Sequence, residues 1–328
     1  MNGAFILRLR TASGRRARIG LILVALAALL GWTGSWHWFP ELFSHFFSQY
    51  ALLLIMLTAL LFWENKASRW AWAALLLTLL VGFAVSPFWL PVADANVKPG
   101  ADTRHLNLLQ FNAARNTYPL VQWLIRHRQE VDVVLALEAD TGFAAGMEAL
   151  AAEFPYRIDK LQDDSFGIAL ISRYPLYEAK VLEVIGADFP ALEAHVITPA
   201  GPLHVIGIHP PPPLGGELAK LRDDYMKELA GQLAQQLEEG EPTLVFGDFN
   251  SSIWSPRLRE FMAETGLRDA QQGQGALGSW PAITARYSGL LGIPIDLMLV
   301  SESVTVQQRQ SGEYLDSDHL PVLTQIAY

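Results

Sequence analysis

The sequence contains no cysteine. That excludes disulfides, thiol catalysis and thiolate-held metals, and it leaves the redox compartment open. Positive charge is scarce in the C-terminal part. From residue 101 onward sixteen Lys and Arg face thirty Asp and Glu, a local charge of −14, and no basic run occurs. Such a field repels polyanions and argues against a general DNA- or RNA-binding role. Charge is missing from three long apolar runs in the first ninety or so residues. Without an ionisable side chain inside them, transport and proton relay have no support. No internal repeat is visible.

What is present divides the chain in two. Hydrophobic residues make up 51% of the 328, and the excess is concentrated near the N-terminus. Residues 1–97 read as a membrane anchor. Arg8, Arg10, Arg15, Arg16 and Arg18 precede an apolar run at about 19–38, and further runs follow at 42–63 and 70–90. Each is close to the roughly 20 residues that cross a hydrocarbon core. The first has the basic start and apolar centre of a secretory signal, but two more runs follow at once, so it reads as a retained span. Trp32, Trp36, Trp38, Trp63, Trp70, Trp72 and Trp89 sit near the run ends, as interfacial belts do.

Lys and Arg set the orientation. The basic N-terminus and the second connection, with Lys66 and Arg69, suit the cytoplasm. The first connection, 34–41, carries neither residue and suits the outside. Three spans through the bilayer then leave the rest of the chain outside the cytoplasm, at the inner membrane of a bacterium. His37 and His45 lie near the first outer connection and receive no role. A Pro/Gly/Asp/Asn stretch follows, with the linker at 98–103 and a second domain over 104–328.

In that domain short apolar runs alternate with helical patterns. Strands are expected at 106–111, 131–137, 167–172, 179–185, 192–198, 203–208, 243–246, 295–300, 304–310 and 322–326. Helices are expected at 119–128, 142–153, 217–239 and from Ser255-Pro256, a cap and first-turn pair, to 265. Leu218, Leu221, Tyr225, Leu229, Leu233 and Leu237 recur every three or four residues and form a core stripe. Many strands and few helices over about 225 residues imply an α/β (α+β) four-layer sandwich, two packed sheets flanked by helices.

The most informative stretch is Val245-Phe246-Gly247-Asp248-Phe249-Asn250. On extended backbone Asp248 and Asn250 share a face, so a strand delivers a carboxylate and a carboxamide side by side. Such a pair can take a proton and hold an oxygen. Other polar residues also follow apolar runs directly: Asn112, Glu138 and His209. Asp296 lies early in Ile295-Asp296-Leu297-Met298, and Asp318-His319 precedes the last strand. Strand ends meet at a sheet edge, so these groups can converge on one cleft. Oxygen donors suit Mg²⁺, Mn²⁺ or Ca²⁺, whereas zinc is disfavoured with no Cys and few His. Taken singly, Asn112 reads as a turn cap, Glu138 and Asp140 as a solvated loop and His209 as a packed histidine. Asp296 is harder to dismiss, because a buried carboxylate needs a partner.

Taken together, Leu-Leu-Gln-Phe-Asn112, Leu-Ala-Leu-Glu138, Ile-Gly-Ile-His209, Gly-Asp248-Phe-Asn250, Ile-Asp296-Leu-Met and Ser-Asp318-His319 resemble the endonuclease/exonuclease/phosphatase superfamily. That superfamily includes deoxyribonuclease I-like nucleases, neutral sphingomyelinases and inositol polyphosphate 5-phosphatases. The resemblance covers about 103–328. The anchor, the Ile-His-Pro-Pro-Pro-Pro run and Gly-Ile-Pro-Ile-Asp resemble a membrane-anchored bacterial subgroup that includes teicoplanin-resistance-type proteins. The resemblance implies a Mg²⁺-dependent (or Mn²⁺-dependent) phosphoric-ester hydrolase. Glu138 would be the principal metal ligand, with Asn112 beside it and Asp318 contributing. Asp248 would orient or deprotonate the attacking water, and Asn250 would hold that water or a phosphoryl oxygen. His319, oriented by Asp296, would contact the phosphate, and His209 would be a phosphate contact or general acid.

Two positions depart from the pattern. Leu137 stands where a Gln is usual, and no acid matches the partner of His209, with Asp163 and Asp164 candidates by position alone. With the anchor, a lipid-linked or membrane-proximal phosphate is the expected substrate. An anchored nuclease acting on nucleic acid is the alternative, and a non-catalytic module that keeps the fold is a third reading. Specificity is expected from the loops 159–166, 210–216 and 271–281, with Trp254, Trp280 and Tyr287 as candidate pocket residues.

Overall fold

The computed structural model describes residues 3–90, 105–237, 240–282, 287, 289 and 291–328. The expected linker at 98–103 lies outside the described residues. The chain opens with α1 (Gly3–Trp32) and a bend, then α2 (Trp38–Glu41), a 3₁₀ segment (Leu42–Phe46), α3 (Phe47–Glu64) and α4 (Arg69–Val85), which ends in a 3₁₀ turn (Ser86–Phe88). Small side chains line the contacts: Ala28, Ala71 and Ala74 are buried with Leu54, Leu61 and Val81. Small residues let apolar helices approach closely. The outward faces are apolar as well, with Leu23, Leu79 and Phe83 exposed.

Among the described residues two helical stretches are long and apolar enough to cross a membrane, Trp38–Glu64 and Arg69–Phe88. The expected first span at 19–38 is corrected. Its helix ends at Trp32 and the chain bends before Trp38, while Arg15, Arg16 and Arg18 occupy the turns just before the apolar part. Fourteen residues between Arg18 and the bend rise only about 21 Å, short of a hydrocarbon core.

The second part carries β1 (Leu106–Asn112), α5 (Tyr118–His127), β2 (Val133–Leu137), α6 (Thr141–Met147), β3 (Tyr156–Lys160), β4 (Ile168–Ser172), β5 (Leu176–Glu183), β6 (Pro190–Thr198), β7 (Gly201–Ile208), α7 (Gly216–Gln236), β8 (Thr243–Asp248), α8 (Pro256–Thr265), β9 (Arg268–Asp269), β10 (Asp296–Val300), β11 (Thr305–Ser311) and β12 (Val322–Ala327). One sheet runs β11-β12-β1-β2-β4-β3 and the other β5-β6-β7-β8-β10-β9. The expected sandwich of two sheets between helices is the architecture found. β3 and β9 are additions. The polar sequence of β3 hides it, and β9 has two residues.

Most central strands are buried on both faces, which is why they read as unbroken apolar runs. In β8, Leu244 and Phe246 enter the core between the sheets, and Val245 faces outward under α7 and α8 with Tyr225, Leu229 and Phe261. In β1, Leu108 enters the inter-sheet core, and Leu109 and Phe111 pack under α5 and α6 with Trp123 and Phe143.

Each sheet has one parallel pair at its centre, β1 with β2 and β7 with β8. Parallel pairing brings C-terminal ends to the same edge, so Asn112 lies beside Leu137 and Ile208 beside Gly247. β10 runs antiparallel to β8 and starts where β8 ends, with Asp296 opposite Asp248. β12 runs antiparallel to β1, which brings 318–319 back to the same edge. Gly247 is required there. Its φ is +143°, and a Cβ would lie 2.0 Å from the Ile208 carbonyl oxygen.

The bundle and the sandwich are joined by buried polar contacts. Glu41 pairs with Arg222 at 2.5 Å, and both side chains are buried. Ser255 donates to Glu41, Trp254 Nε1 donates to the Ala84 carbonyl at 3.0 Å, and Gln49 Nε2 donates to the Gly292 carbonyl at 2.7 Å. Trp254 packs on Phe47 and Phe88. It is therefore a joint between the two parts.

Candidate active site

The shared sheet edge opens into a cavity of about 490 Å³. Asn112, Glu138, His209, Asp248, Asn250, Asp318 and His319 all line it, and Asp296 sits directly behind His319. Asn112 and Asp248 are the last residues of their strands, and two others stand on left-handed backbone just beyond a strand. Glu138 follows β2 with φ +52°, and Asn250 follows β8 with φ +48°. Non-glycine residues seldom hold this conformation, and such strain is concentrated at functional sites. The strand ends at Asp248, so the turn positions Asn250, and strand alternation plays no part. Asp248 Oδ1 accepts from the Asn250 backbone N–H at 2.8 Å, and Asn250 Nδ2 donates to the Pro210 carbonyl at 3.0 Å.

Asp248 is the hub. Its Oδ2 accepts from Asn112 Nδ2 at 3.2 Å, and it lies 3.7 Å from His209 Nε2 and 3.6 Å from His319 Nε2. His319 Nδ1 meets Asp296 Oδ2 at 2.8 Å, which leaves Nε2 directed at Asp248. Ser317 holds the loop, accepting from the His319 N–H at 3.0 Å and donating to the Asn112 carbonyl at 2.7 Å.

These contacts set the protonation states. Burial alone would strip His319 of its proton, but the carboxylates of Asp296 and Asp248 reverse this and raise its pKa to about 10. Burial, together with the charge of Asp296, pushes Asp248 up to about 7 against the opposing pull of His319. Burial and the neighbouring His319 charge lower His209 to about 4, so it is neutral near pH 7. Burial also raises Glu138, and Asp318 adds to the rise.

Glu138 has only a long ion pair among the described residues. Arg115 Nε stands 3.9 Å away on a largely exposed side chain. Asp318 accepts from Trp280 Nε1 at 2.9 Å. Glu138, Asp318 and the Asn112 carboxamide line one cavity, and each offers an oxygen donor. This set fits a hard divalent ion. A second grouping, Asp248, Asp296 and His319, brings ligand atoms within 4.8 Å of one another. There the His319 Nδ1 is already engaged by Asp296, so the grouping reads as an internal proton-holding network. A third, His195, His204 and Glu241, lies on the β6–β7 hairpin away from the cleft, inside an ion-pair network with Glu193 and Lys180.

Neither acid suggested for His209 reaches it. Asp163 accepts from Thr141, and Asp164 accepts from Phe166 N–H and Gln162. His209 Nδ1 is buried and has no hydrogen-bond partner among the described residues, and its carboxylate neighbour is Asp248. Of the proposed pocket aromatics, Trp280 lines the cavity. Pro212, Pro213 and Leu214 from the proline run do so too, as does Phe166.

Several residues escaped the sequence reading. Gln110 Nε2 donates to the Gly247 carbonyl at 3.3 Å and ties the two sheets together beneath the site. Arg309, buried in β11, donates to the Asp296 carbonyl at 2.6 Å. It sits in Gln-Gln-Arg-Gln, which reads as a solvated edge. Leu42, His45 and Phe46 of the N-terminal part also line the cavity. A histidine placed early in an apolar run was the one signal available for them.

The sequence matches the model of the Endonuclease/Exonuclease/phosphatase family over residues 109–319, and the chain belongs to that family. No curated protein matches it. Solved structures agree on the fold. An endonuclease/exonuclease/phosphatase from Beutenbergia cavernae is 20% identical with a TM-score of 0.56, covering 68% of this chain and 72% of its own. Humanized D. rerio TDP2 is 15% identical with a TM-score of 0.54, covering 68% of this chain and 98% of its own. An AP endonuclease from Archaeoglobus fulgidus is 14% identical with a TM-score of 0.53, covering 67% and 98%.

Proposed function

We propose that this member of the family is a metal-dependent phosphoric-ester hydrolase, held in a bacterial inner membrane with its catalytic domain outside the cytoplasm, acting on a lipid-linked or membrane-proximal phosphate. The observation that carries the reaction class is the convergence of Glu138 and Asn112 with the Asp296–His319–Asp248 chain in one cavity.

The roles follow from the geometry. Glu138, Asn112 and Asp318 would hold Mg²⁺ or Mn²⁺, which supplies charge neutralisation at the phosphoryl oxygens. Asp248, ionised above about pH 7, accepts the proton of the attacking water. Asn250 holds that water or a phosphoryl oxygen through its carboxamide. Asp296 engages Nδ1 of His319, so the charged ring presents Nε2–H toward a non-bridging oxygen. His209, neutral at pH 7, contributes a hydrogen bond to the phosphate and is poorly suited to act as an acid.

The membrane reading rests on the bundle. α3 and α4 have 18 and 17 residues, rises of about 27 and 26 Å. α1 runs beside them, with Arg18 paired to Glu64 at 2.6 Å at one end. Its exposed Ile19, Leu23 and Leu26 suit an apolar surface beside the two crossing helices. Arg10, Arg18, Lys66 and Arg69 gather at the end opposite Glu41 and the catalytic domain, which favours an external catalytic domain. The likeness to teicoplanin-resistance-type proteins belongs to this same reading. A nuclease role is disfavoured because no described residue lining the cavity is Lys or Arg.

The test assays the full chain in detergent or nanodiscs with Mg²⁺, Mn²⁺ or EDTA. The panel holds isoprenoid and glycerolipid phosphates, inositol phosphates, a chromogenic phosphodiester and plasmid DNA. EDTA-sensitive release from a lipid phosphate, with DNA untouched, is the expected outcome. Nicked plasmid would instead favour the nuclease, and metal-independent turnover would overturn the Glu138 site.

A further inference from the structure

Catalytic groups occupy one side of the cavity, and the other side is apolar and partly foreign to the catalytic domain. Leu42 and Phe46 come from the 3₁₀ segment that leads directly into α3. They face the cavity with Leu214 from the proline loop and Ile293 from the segment before β10. Phe46 is 40% exposed and lines the cavity that also holds the catalytic groups. Water contact at such a ring has a free-energy cost that a hydrocarbon ligand would remove. A second cavity of about 450 Å³, almost wholly apolar, lies further along the same helix between Leu52 and Ile55 of α3 and Gly82 and Val85 of α4.

One polar group belongs to this wall. His45 is buried, and its Nδ1 accepts from the Ser252 N–H at 3.3 Å and meets Ser252 Oγ at 3.0 Å. With Nδ1 as acceptor, the neutral ring carries its proton on Nε2. That Nε2 is buried and has no partner among the described residues. A buried donor of this kind is satisfied in nearly all proteins.

The wall is also held rigidly. Glu41, one residue before Leu42, is clamped by Arg222 and Ser255, and Arg222 also reaches Ser251 Oγ at 3.2 Å. The position of the anchor residues against the catalytic groups is therefore fixed by a buried ionic contact.

We propose that the anchor completes the substrate site. Leu42 and Phe46, with Leu214 and Ile293, form a subsite for the hydrocarbon chain of a phosphate amphiphile, and His45 Nε2–H meets an oxygen of its head group. This deepens the hydrolase reading and rests on it for the position of the phosphate. The ligand is a lipid-type phosphate with its chain directed along α3, and not a free phosphate ester in solution. The phosphate end is selected by the catalytic groups, and the chain end by Leu42 and Phe46 of the N-terminal part together with Leu214 and Ile293.

The experiment measures binding and uses no turnover. Ethyl, butyl, hexyl and octyl phosphate are titrated calorimetrically onto the full chain in nanodiscs with Mg²⁺, with empty nanodiscs subtracted. Burial of a methylene strengthens binding by roughly fourfold, so Kd should fall at least about 100-fold from ethyl to octyl phosphate. The ratio of these two constants should shrink by about tenfold or more in Phe46→Ser and in Leu42→Ser. It should stay unchanged in Leu79→Ser, a lipid-facing control. Phe46 is exposed enough for its truncation to fold, so that variant decides if Leu42→Ser does not. A flat chain-length dependence in the wild type, or an equal ratio in all variants, would overturn the subsite even if esters are hydrolysed. A steep dependence lost on Phe46→Ser, with no ester turned over, would leave the subsite standing and remove the hydrolase reading.

Discussion

His319 is the residue whose state decides most. Its charge is sustained by Asp296 and Asp248, and its orientation by the 2.8 Å contact with Asp296. Asp296→Asn keeps the shape but removes the charge, so His319 should titrate much lower and the rate near pH 8 should drop by roughly 10²–10³. The pH profile separates this from a loss of folding. In the wild type Asp248 must be ionised, which requires a pH above about 7, and His319 must be charged, which requires a pH below about 10. The rate should therefore be bell-shaped between those limits, and in Asp296→Asn the alkaline limb should move toward neutrality. An unchanged alkaline limb would show that His319 does not carry the proton in question. Asp248→Asn should lose at least about 10³ in kcat with a normal melting temperature. The acids and histidines were all legible as polar residues at or beside apolar runs: Glu138, His209 and Asp248 after one, Asp296 early within one, and Asp318 and His319 before the last. Their pairing was not, since Asp296 and His319 are 23 positions apart and meet only where the edges of the two different sheets come together.

At the scale of elements, two parallel strand pairs do most of the positioning. Parallel order sends both C-terminal ends to one edge, and an antiparallel neighbour starts there. The alternative, an antiparallel hairpin at β7–β8, would have sent His209 and Asp248 to opposite ends. Gly247 permits the last step of β8. Gly247→Ala should cost several kcal/mol or shift Asp248 out of place, because a Cβ would press on the Ile208 carbonyl and φ is positive. Thermal unfolding and activity of that variant check this, and a stable, fully active protein would contradict it. The 3₁₀ segment at Leu42–Phe46 is the other decisive element. Its apolar sequence merges with the following helix, so the sequence presents one run where the structure has a short docking turn followed by a long apolar helix. The distinguishing partners, Arg222 and Ser252, lie more than 180 residues away.

At the scale of the molecule, the bundle and the sandwich meet through buried charge. Removing one member of such a pair leaves the other unpaired in an apolar interior, a cost of about 3–5 kcal/mol. Glu41→Ala should therefore loosen the joint, although Asp223 stays 2.7 Å from Arg222 and softens the loss. Orientation is testable because the chain has no cysteine, which makes any introduced thiol unique. Glu313→Cys, on an exposed loop of the catalytic domain, should react with an impermeant maleimide in intact spheroplasts. Lys66→Cys, in the turn between α3 and α4, should react only after permeabilisation. The reverse pattern would invert the topology.

Composition and local pattern by themselves determined a good deal. They divided the chain into an apolar N-terminal part and an acidic α/β part, and identified strands by runs buried on both faces. They also singled out the residues that gather at the cavity, because chemistry placed at strand ends is written directly after apolar runs. Other features were decided only in three dimensions, since they depend on contacts between distant segments. Among these are the hub role of Asp248, the absence of an Asp163 or Asp164 contact to His209, and the supporting positions of Gln110 and Arg309. So too is the end of the first helix at Trp32. The chief example is the wall of Leu42, His45 and Phe46: a local apolar pattern cannot distinguish a side chain facing lipid from one facing a catalytic cleft, because both environments select the same hydrophobicity.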